Sequence, residues 1–254
     1  MSTLGLSLQK KLFSRKIYSR KFDTYFCYYR PNMEEPIIIS PDTKYIAIEG
    51  PVGSGKTSLA RKLADHLEGK LILEQPETNP FLENFYKDPR SNALPTELSF
   101  LFQRSKLLED INQEDLFSNI SITDFIFDKD YIFTEINLTH EEIDLYKKVK
   151  DSLKVSHPSP DLVVYLQAPV EVLLSRIRMR SPSVDLLIDS SYLEKIADSY
   201  AKYFYYYEGS PLLVVNAENI DPIHNDDHFE MLFSELKNVK FGKHFFNNTA
   251  AAFS

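Results

Sequence analysis

Cysteine occurs once, at Cys27, and a single thiol excludes both a disulfide framework and a cysteine-built zinc site. A chain of this kind suits a reducing compartment, and we expect it in the cytoplasm. No apolar run approaches the roughly 18 residues that a membrane-spanning helix needs. Basic residues are scarce beyond position 33: residues 1–33 hold seven Lys or Arg against one acid, Asp23, whereas the remainder holds 22 basic and 36 acidic residues. A body so acidic excludes a broad nucleic-acid groove, which requires a basic face. Any phosphate recognition must therefore be local. No Ser-His-Asp or Cys-His arrangement can be argued from the sequence.

The chain has 254 residues, enough for one α/β domain with a modest extension. We expect residues 1–33 to form a basic extension without regular structure, residues 34–240 the folded domain and residues 241–254 a tail. The leader's composition fits an organelle transit peptide, which would place the protein in mitochondria, and fits equally an upstream start, since Met33 precedes a short lead into the first apolar run. Short, continuously apolar runs flanked by turn formers occur at 44–49, 71–74, 119–125, 162–166 and 212–215, as expected of strands covered on both faces. Helical patterns lie between or after them, at about 56–68, 96–112, 127–136, 141–154, 169–180, 190–207 and 226–238. This alternation predicts a mainly parallel five-stranded sheet in a three-layer α/β/α fold, with ligands at the carboxyl ends of the strands.

The strongest local signal follows the first run. Residues Gly50-Pro51-Val52-Gly53-Ser54-Gly55-Lys56-Thr57 read G-x-x-x-x-G-K-T, running into a helical pattern that begins near Lys56. Glycines let backbone N–H groups turn inward around phosphate oxygens, and the following helix points its positive dipole end at the same anion. Lys56 adds charge for the outer phosphates, and the Thr57 hydroxyl suits Mg²⁺. The segment is a P-loop of the nucleoside triphosphatase type, and the expected ligand is ATP with Mg²⁺.

Further along, Glu74 stands at the end of the second run, followed by Asn79-Pro80-Phe81-Leu82. The order continues with Phe85-Tyr86-Lys87-Asp88-Pro89, Ala93-Leu94-Pro95-Thr96, Phe102-Gln103-Arg104, Thr123-Asp124-Phe125, the Asp161 to Leu166 strand and Arg176-Ile177-Arg178-Met179-Arg180. This ordered set, over about 44–238, resembles the deoxynucleoside kinase family, in particular its bacterial deoxyadenosine/deoxyguanosine kinase-like branch. The resemblance implies Mg-ATP-dependent phosphoryl transfer to the 5′-hydroxyl of a deoxynucleoside, a purine one by preference, and a homodimer. It implies Glu74 as general base, Tyr86 at the sugar 3′-hydroxyl, Phe133 stacked on the base, Arg104 at the substrate, and a lid carrying Arg176 and Arg180.

Departures from the family pattern bear on the chemistry. Pro182 and Leu186 stand where relatives carry arginines, and Asp185, a candidate substrate contact, stands where they tend to have Glu. Thr123-Asp124-Phe125 replaces an acid-Arg-Ser triplet, which leaves Asp124 for Mg²⁺ or its water. Glu97 occupies the place of a base-pairing Gln. An ionised carboxylate only accepts hydrogen bonds, which matches guanine's N1–H and exocyclic amine; a protonated one would behave like an amide. Arg104 or Lys129 could neutralise it. Two rivals remain open: a nucleoside monophosphate kinase, which would need a second anion site, and a catalytically silent scaffold of the same fold. His224 and His228, four apart, lack a third metal ligand and read as a polar helix start. The run Tyr203 to Tyr207 reads as helix packing.

Overall fold

The computed structural model describes residue 39 and residues 43–112, 120–154, 158–180 and 188–247. Within them a parallel sheet of six strands forms in the order β2-β3-β1-β4-β5-β6. The strands are β1 (Tyr45–Glu49), β2 (Lys70–Ile72), β3 (Ser121–Thr123), β4 (Leu162–Gln167), β5 (Leu212–Asn216) and β6 (Lys243–Phe246). Every registered pair is parallel, with Ala47 facing Thr123 of β3 on one side and Val163 of β4 on the other. The helices are α1 (Lys56–Leu67), α2 (Leu82–Lys87), α3 (Pro89–Asn112), α4 (Asp130–Asn137), α5 (His140–Leu153), α6 (Val170–Arg180), α7 (Ser190–Tyr206) and α8 (Asp226–Asn238).

The apolar runs become strands because both faces of the sheet are covered. In β1, Ile46 and Ile48 enter the core shared with α1, α6 and α8, while Tyr45 and Ala47 enter the one shared with α7. Helix α1 buries Leu59, Ala60, Leu63, Ala64 and Leu67, the three-and-four spacing of an amphipathic helix. Thr139 and Glu142 start α5 with reciprocal side-chain and backbone bonds. The chain leaves β1 for the edge strand β2, returns through β3, and then crosses to β4 on the other side of β1. Strand order thus reverses beside β1, the place where ligands of open parallel sheets gather at the carboxyl ends.

Several element boundaries differ from expectation. The sheet has six strands rather than five, because Lys243–Phe246 adds an edge strand inside the stretch expected as a tail. Its residues alternate between exposed and half-buried, so it lacks the continuous apolar run that marks the inner strands. Helix α3 starts at Pro89, seven residues before the expected start, and carries Pro95 within it. A proline there costs the Ser91 carbonyl its helical donor, which is why the sequence suggests a boundary. Helix α2 is only six residues long and shows no readable period. The 127–136 pattern divides into a 3₁₀ turn, Phe127–Lys129, followed by α4. The leader, and lid positions Pro182, Asp185 and Leu186, lie outside the described residues.

Candidate active site

The loop from Gly50 to Thr57 joins β1 to α1 at the centre of the sheet. Gly53 and Gly55 hold φ of 85° and 96°, a region side-chain-bearing residues rarely adopt, and a Cβ on Gly53 would stand 2.6 Å from the Leu173 carbonyl oxygen. The loop is tightened by Ser54 N–H donating to the Pro51 carbonyl at 3.1 Å. Lys56 is half-buried, and burial together with neighbouring Lys129 lowers its pKa, while Glu49, Asp124 and Glu74 oppose that shift. Of the other residues expected in the phosphate cradle, Val52 is half-buried and Ser58 is exposed at the start of α1.

From the loop, a chain of contacts runs to Glu74. Thr57 Oγ1 donates to Asp124 Oδ2 at 2.5 Å, and Asp124 Oδ1 accepts from the Glu74 backbone N–H at 2.8 Å. A hydroxyl and a carboxylate side by side form a hard-oxygen pair of the kind Mg²⁺ takes. The Glu74 side chain, 11% exposed, accepts from Arg104 Nη1 at 3.0 Å on Oε1 and from Lys129 Nζ at 2.6 Å on Oε2. Burial works against its ionised form, but Lys129, Arg104 and Lys56 outweigh it and bring the pKa down to about 2.

A second carboxylate has the opposite surroundings. Glu97, seven residues before Arg104 on α3, is buried, and its Oε1 accepts from the neutral amide of Asn137 at 2.9 Å. Burial pushes this carboxyl up to about 7, with the Asn137 bond and Arg104 pulling down and Asp130 and Glu74 adding to the rise. Arg104 is itself buried, and its Nε and Nη2 donors have no hydrogen-bond partner among the described residues. Two unpaired donors on one buried guanidinium are costly unless a ligand accepts from them. Tyr86 lies near Glu97, and burial first, then that carboxylate, raise its phenol pKa. Phe133 meets Tyr200 edge-on at 6.1 Å between centroids.

Other expected residues sit as follows. Arg176 donates to the carbonyls of Ser54 at 3.4 Å and Ala217 at 2.7 Å, so it braces the phosphate loop against the segment after β5. Arg180 is exposed at the end of α6, and Asp185 lies outside the described residues. His228 Nδ1 accepts from the Asp221 backbone N–H, and Asn225 caps α8, so these residues start a helix. Lys129 lies on Glu74, not on Glu97.

One member of the cluster, Glu49, carries no expected role at this site, and another, Lys129, has a different partner from the one the sequence offers. Glu49 is fully buried at the end of β1, accepting from Gly50 N–H, Ile126 N–H and the Tyr200 hydroxyl, each at 3.0 Å. It ties the loop's root to the segment after β3 and to α7. Its signal in the sequence is an acid closing an otherwise apolar run. Lys129 is expected as a cation near Glu97, and the structure sets it on Glu74 instead.

Known proteins resemble this chain over most of its length. The family model described as deoxynucleoside kinase matches residues 46–240. A deoxyguanosine kinase of Bacillus subtilis is 32% identical over 200 residues, covering 77% of this chain and 97% of that protein. A deoxyadenosine/deoxycytidine kinase of the same organism is 26% identical over 209 residues, covering 78% and 94%. Among solved structures, deoxyadenosine kinase from M. mycoides with bound dATP superposes with a TM-score of 0.66 at 26% identity, over 76% of this chain and 98% of that one. The same enzyme with dCMP and dCDP gives 0.67 at 27% identity, over 77% and 100%. With the matched model spanning most of its length, this chain belongs to the deoxynucleoside kinase family of phosphotransferases.

Proposed function

We propose that the protein transfers the γ-phosphoryl group of ATP to the 5′-hydroxyl of a purine deoxynucleoside, with deoxyguanosine the better acceptor. The reading is carried by the continuous path from the phosphate loop through Thr57 and Asp124 to the Glu74 backbone, which sets a carboxylate beside the place where an ATP terminus would lie. The substrate 5′-oxygen attacks the γ-phosphorus, the bond to ADP breaks, and Glu74 takes the hydroxyl proton. Lys56 and the loop N–H groups hold the phosphates. Thr57 and Asp124 would hold Mg²⁺, which neutralises phosphate charge.

For the base, the two unpaired Arg104 donors suit adjacent acceptors such as guanine O6 and N7, a pairing arginine makes readily. Ionised Glu97 accepts from N1–H and the exocyclic amine. Tyr86 is assigned to the sugar 3′-hydroxyl, Phe133 to the base face, and Arg176, Arg180 and Asp185 to the lid side. Homodimeric state and cytoplasmic location go with this reading. A panel of deoxynucleosides and their monophosphates with Mg-ATP tests it: deoxyguanosine leads, deoxyadenosine follows, and monophosphates are inert. Phosphorylation of monophosphates alone would make the protein a monophosphate kinase, and no turnover with no ATP binding would make it a scaffold.

A further inference from the structure

The end of β3 supplies no cation to the site. Thr123, Asp124 and Phe125 are buried, and none bears positive charge. Five residues beyond Asp124, the 3₁₀ turn brings Lys129 back to the site with its side chain 4% exposed. Its ammonium lies 2.6 Å from Glu74 Oε2 and 3.7 Å from Glu49 Oε1. A buried ammonium costs several kcal/mol unless it is paired, so its partner is informative. Glu49 does not need it, because Gly50, Ile126 and Tyr200 already satisfy both its oxygens. The short bond goes to Glu74.

We propose that Lys129 is a positioning residue for phosphoryl transfer, which holds the Glu74 carboxylate turned toward the phosphate loop. This rests on the function proposed above. One Glu74 oxygen faces Arg104 and the other Lys129, so the carboxylate is clamped between two cations from different elements, α3 and the turn after β3. An ammonium has three N–H groups on a flexible stem, and Glu74 takes one at hydrogen-bond distance. As the 5′-hydroxyl approaches Glu74, Lys129 keeps that carboxylate facing it and acts through Glu74 alone. The proton still passes to Glu74, and Lys129 keeps its own.

The test uses steady-state kinetics of Lys129→Met, Lys129→Arg, Glu74→Gln and the double variant on the full chain, with ATP affinity by calorimetry. We expect Lys129→Met to lower kcat about 100-fold or more while KM for the nucleoside and ATP affinity stay within about threefold, and Lys129→Arg to recover at least about a tenth of kcat. In the Glu74→Gln background, Lys129→Met should cost under about threefold, since the residue it positions is gone. Should Lys129→Met fail to fold, the double variant, which leaves no lone buried charge of this pair, decides against Glu74→Gln alone. A Lys129→Met enzyme with ordinary kcat, or a further loss above about tenfold in the double variant, would overturn the proposal. If the natural chain phosphorylates no deoxynucleoside, the function reading itself fails; if it does and only these contrasts fail, the fault lies with Lys129.

Discussion

Replacing Glu97 with Gln should abolish a pH dependence of base choice that the natural chain displays. The Glu97 carboxyl is raised from an ordinary 4.5 to about 7, burial being the main cause. The groups facing it are Arg104 on the same helix, Asp130 and Asn137 on α4, Glu74 after β2, Tyr86 on α2, Tyr146 on α5 and Tyr192 on α7. With a pKa near 7, about a tenth of molecules are ionised at pH 6 and about nine-tenths at pH 8. If guanine requires the acceptor-only form and adenine the protonated form, kcat/KM rises about tenfold for deoxyguanosine and falls about tenfold for deoxyadenosine, so their ratio shifts up to ~100-fold. Competition between the two nucleosides in one vessel, sampled from pH 6 to 8, measures that ratio directly. Titrations common to both reactions, such as that of ATP, cancel. A ratio constant within about twofold, or an unchanged slope in Glu97→Gln, would refute the reasoning. Stability provides a second readout. A raised folded pKa means that the group's favourable contribution is complete below about pH 4.5 and is lost as pH rises through about 7, a swing of order 3 kcal/mol. Glu97→Gln should therefore raise Tm at pH 8 and leave it nearly unchanged at pH 5.

Three further outcomes follow from the site. Glu74→Gln should cut kcat by about 10²–10⁴-fold with ATP affinity within about threefold, measured by coupled assay and calorimetry; retention of a tenth of kcat would remove Glu74 as the base. In Gly53→Ala the new Cβ stands 2.6 Å from the Leu173 carbonyl oxygen at a φ of 85°, so the loop must shift. ATP affinity should fall more than about tenfold and Tm by a few degrees, and a silent substitution would show that the loop is more pliant than its geometry implies. Asp124→Asn should move the Mg²⁺ midpoint of activity upward by about tenfold or more, with nucleoside KM little changed; an unaltered midpoint would leave Asp124 as a bracket for the Glu74 backbone alone.

The sheet and the phosphate loop were legible in the sequence because they depend on local rules. A buried parallel strand must be continuously apolar, and a loop that cradles phosphate needs glycine where φ turns positive. Edge strand β6 obeys neither rule, since His244 and Phe246 are only half-buried while Lys243 and Phe245 face outward. Helix α3 hid its first turns behind Pro95, whose cost is borne by tertiary packing that no local pattern records. Within the site, residue types could be read but pairings could not. Lys129 was placed with Glu97 as one alternative because the two fall in neighbouring segments. The 3₁₀ turn instead aims it at Glu74, a rotation about the chain that spacing alone does not fix.

The pairings, more than the residue types, set the chemistry. Glu74, mostly buried, and Glu97, fully buried, both lie near Arg104, and burial alone would raise both. What separates them is the distribution of two cations and one amide. Arg104 Nη1 and Lys129 Nζ each bond to Glu74, whereas Glu97 accepts from the neutral amide of Asn137. One carboxylate is thereby fixed as an anion near 2 and the other poised near 7. Pairs of titratable groups whose surroundings drive them apart are how a site assigns different tasks to the same side chain. Under the proposed function the anion is the proton acceptor, and the poised group stands beside a guanidinium with two donors unpaired among the described residues. Exchanging their partners would leave the composition of the site intact and remove both functions.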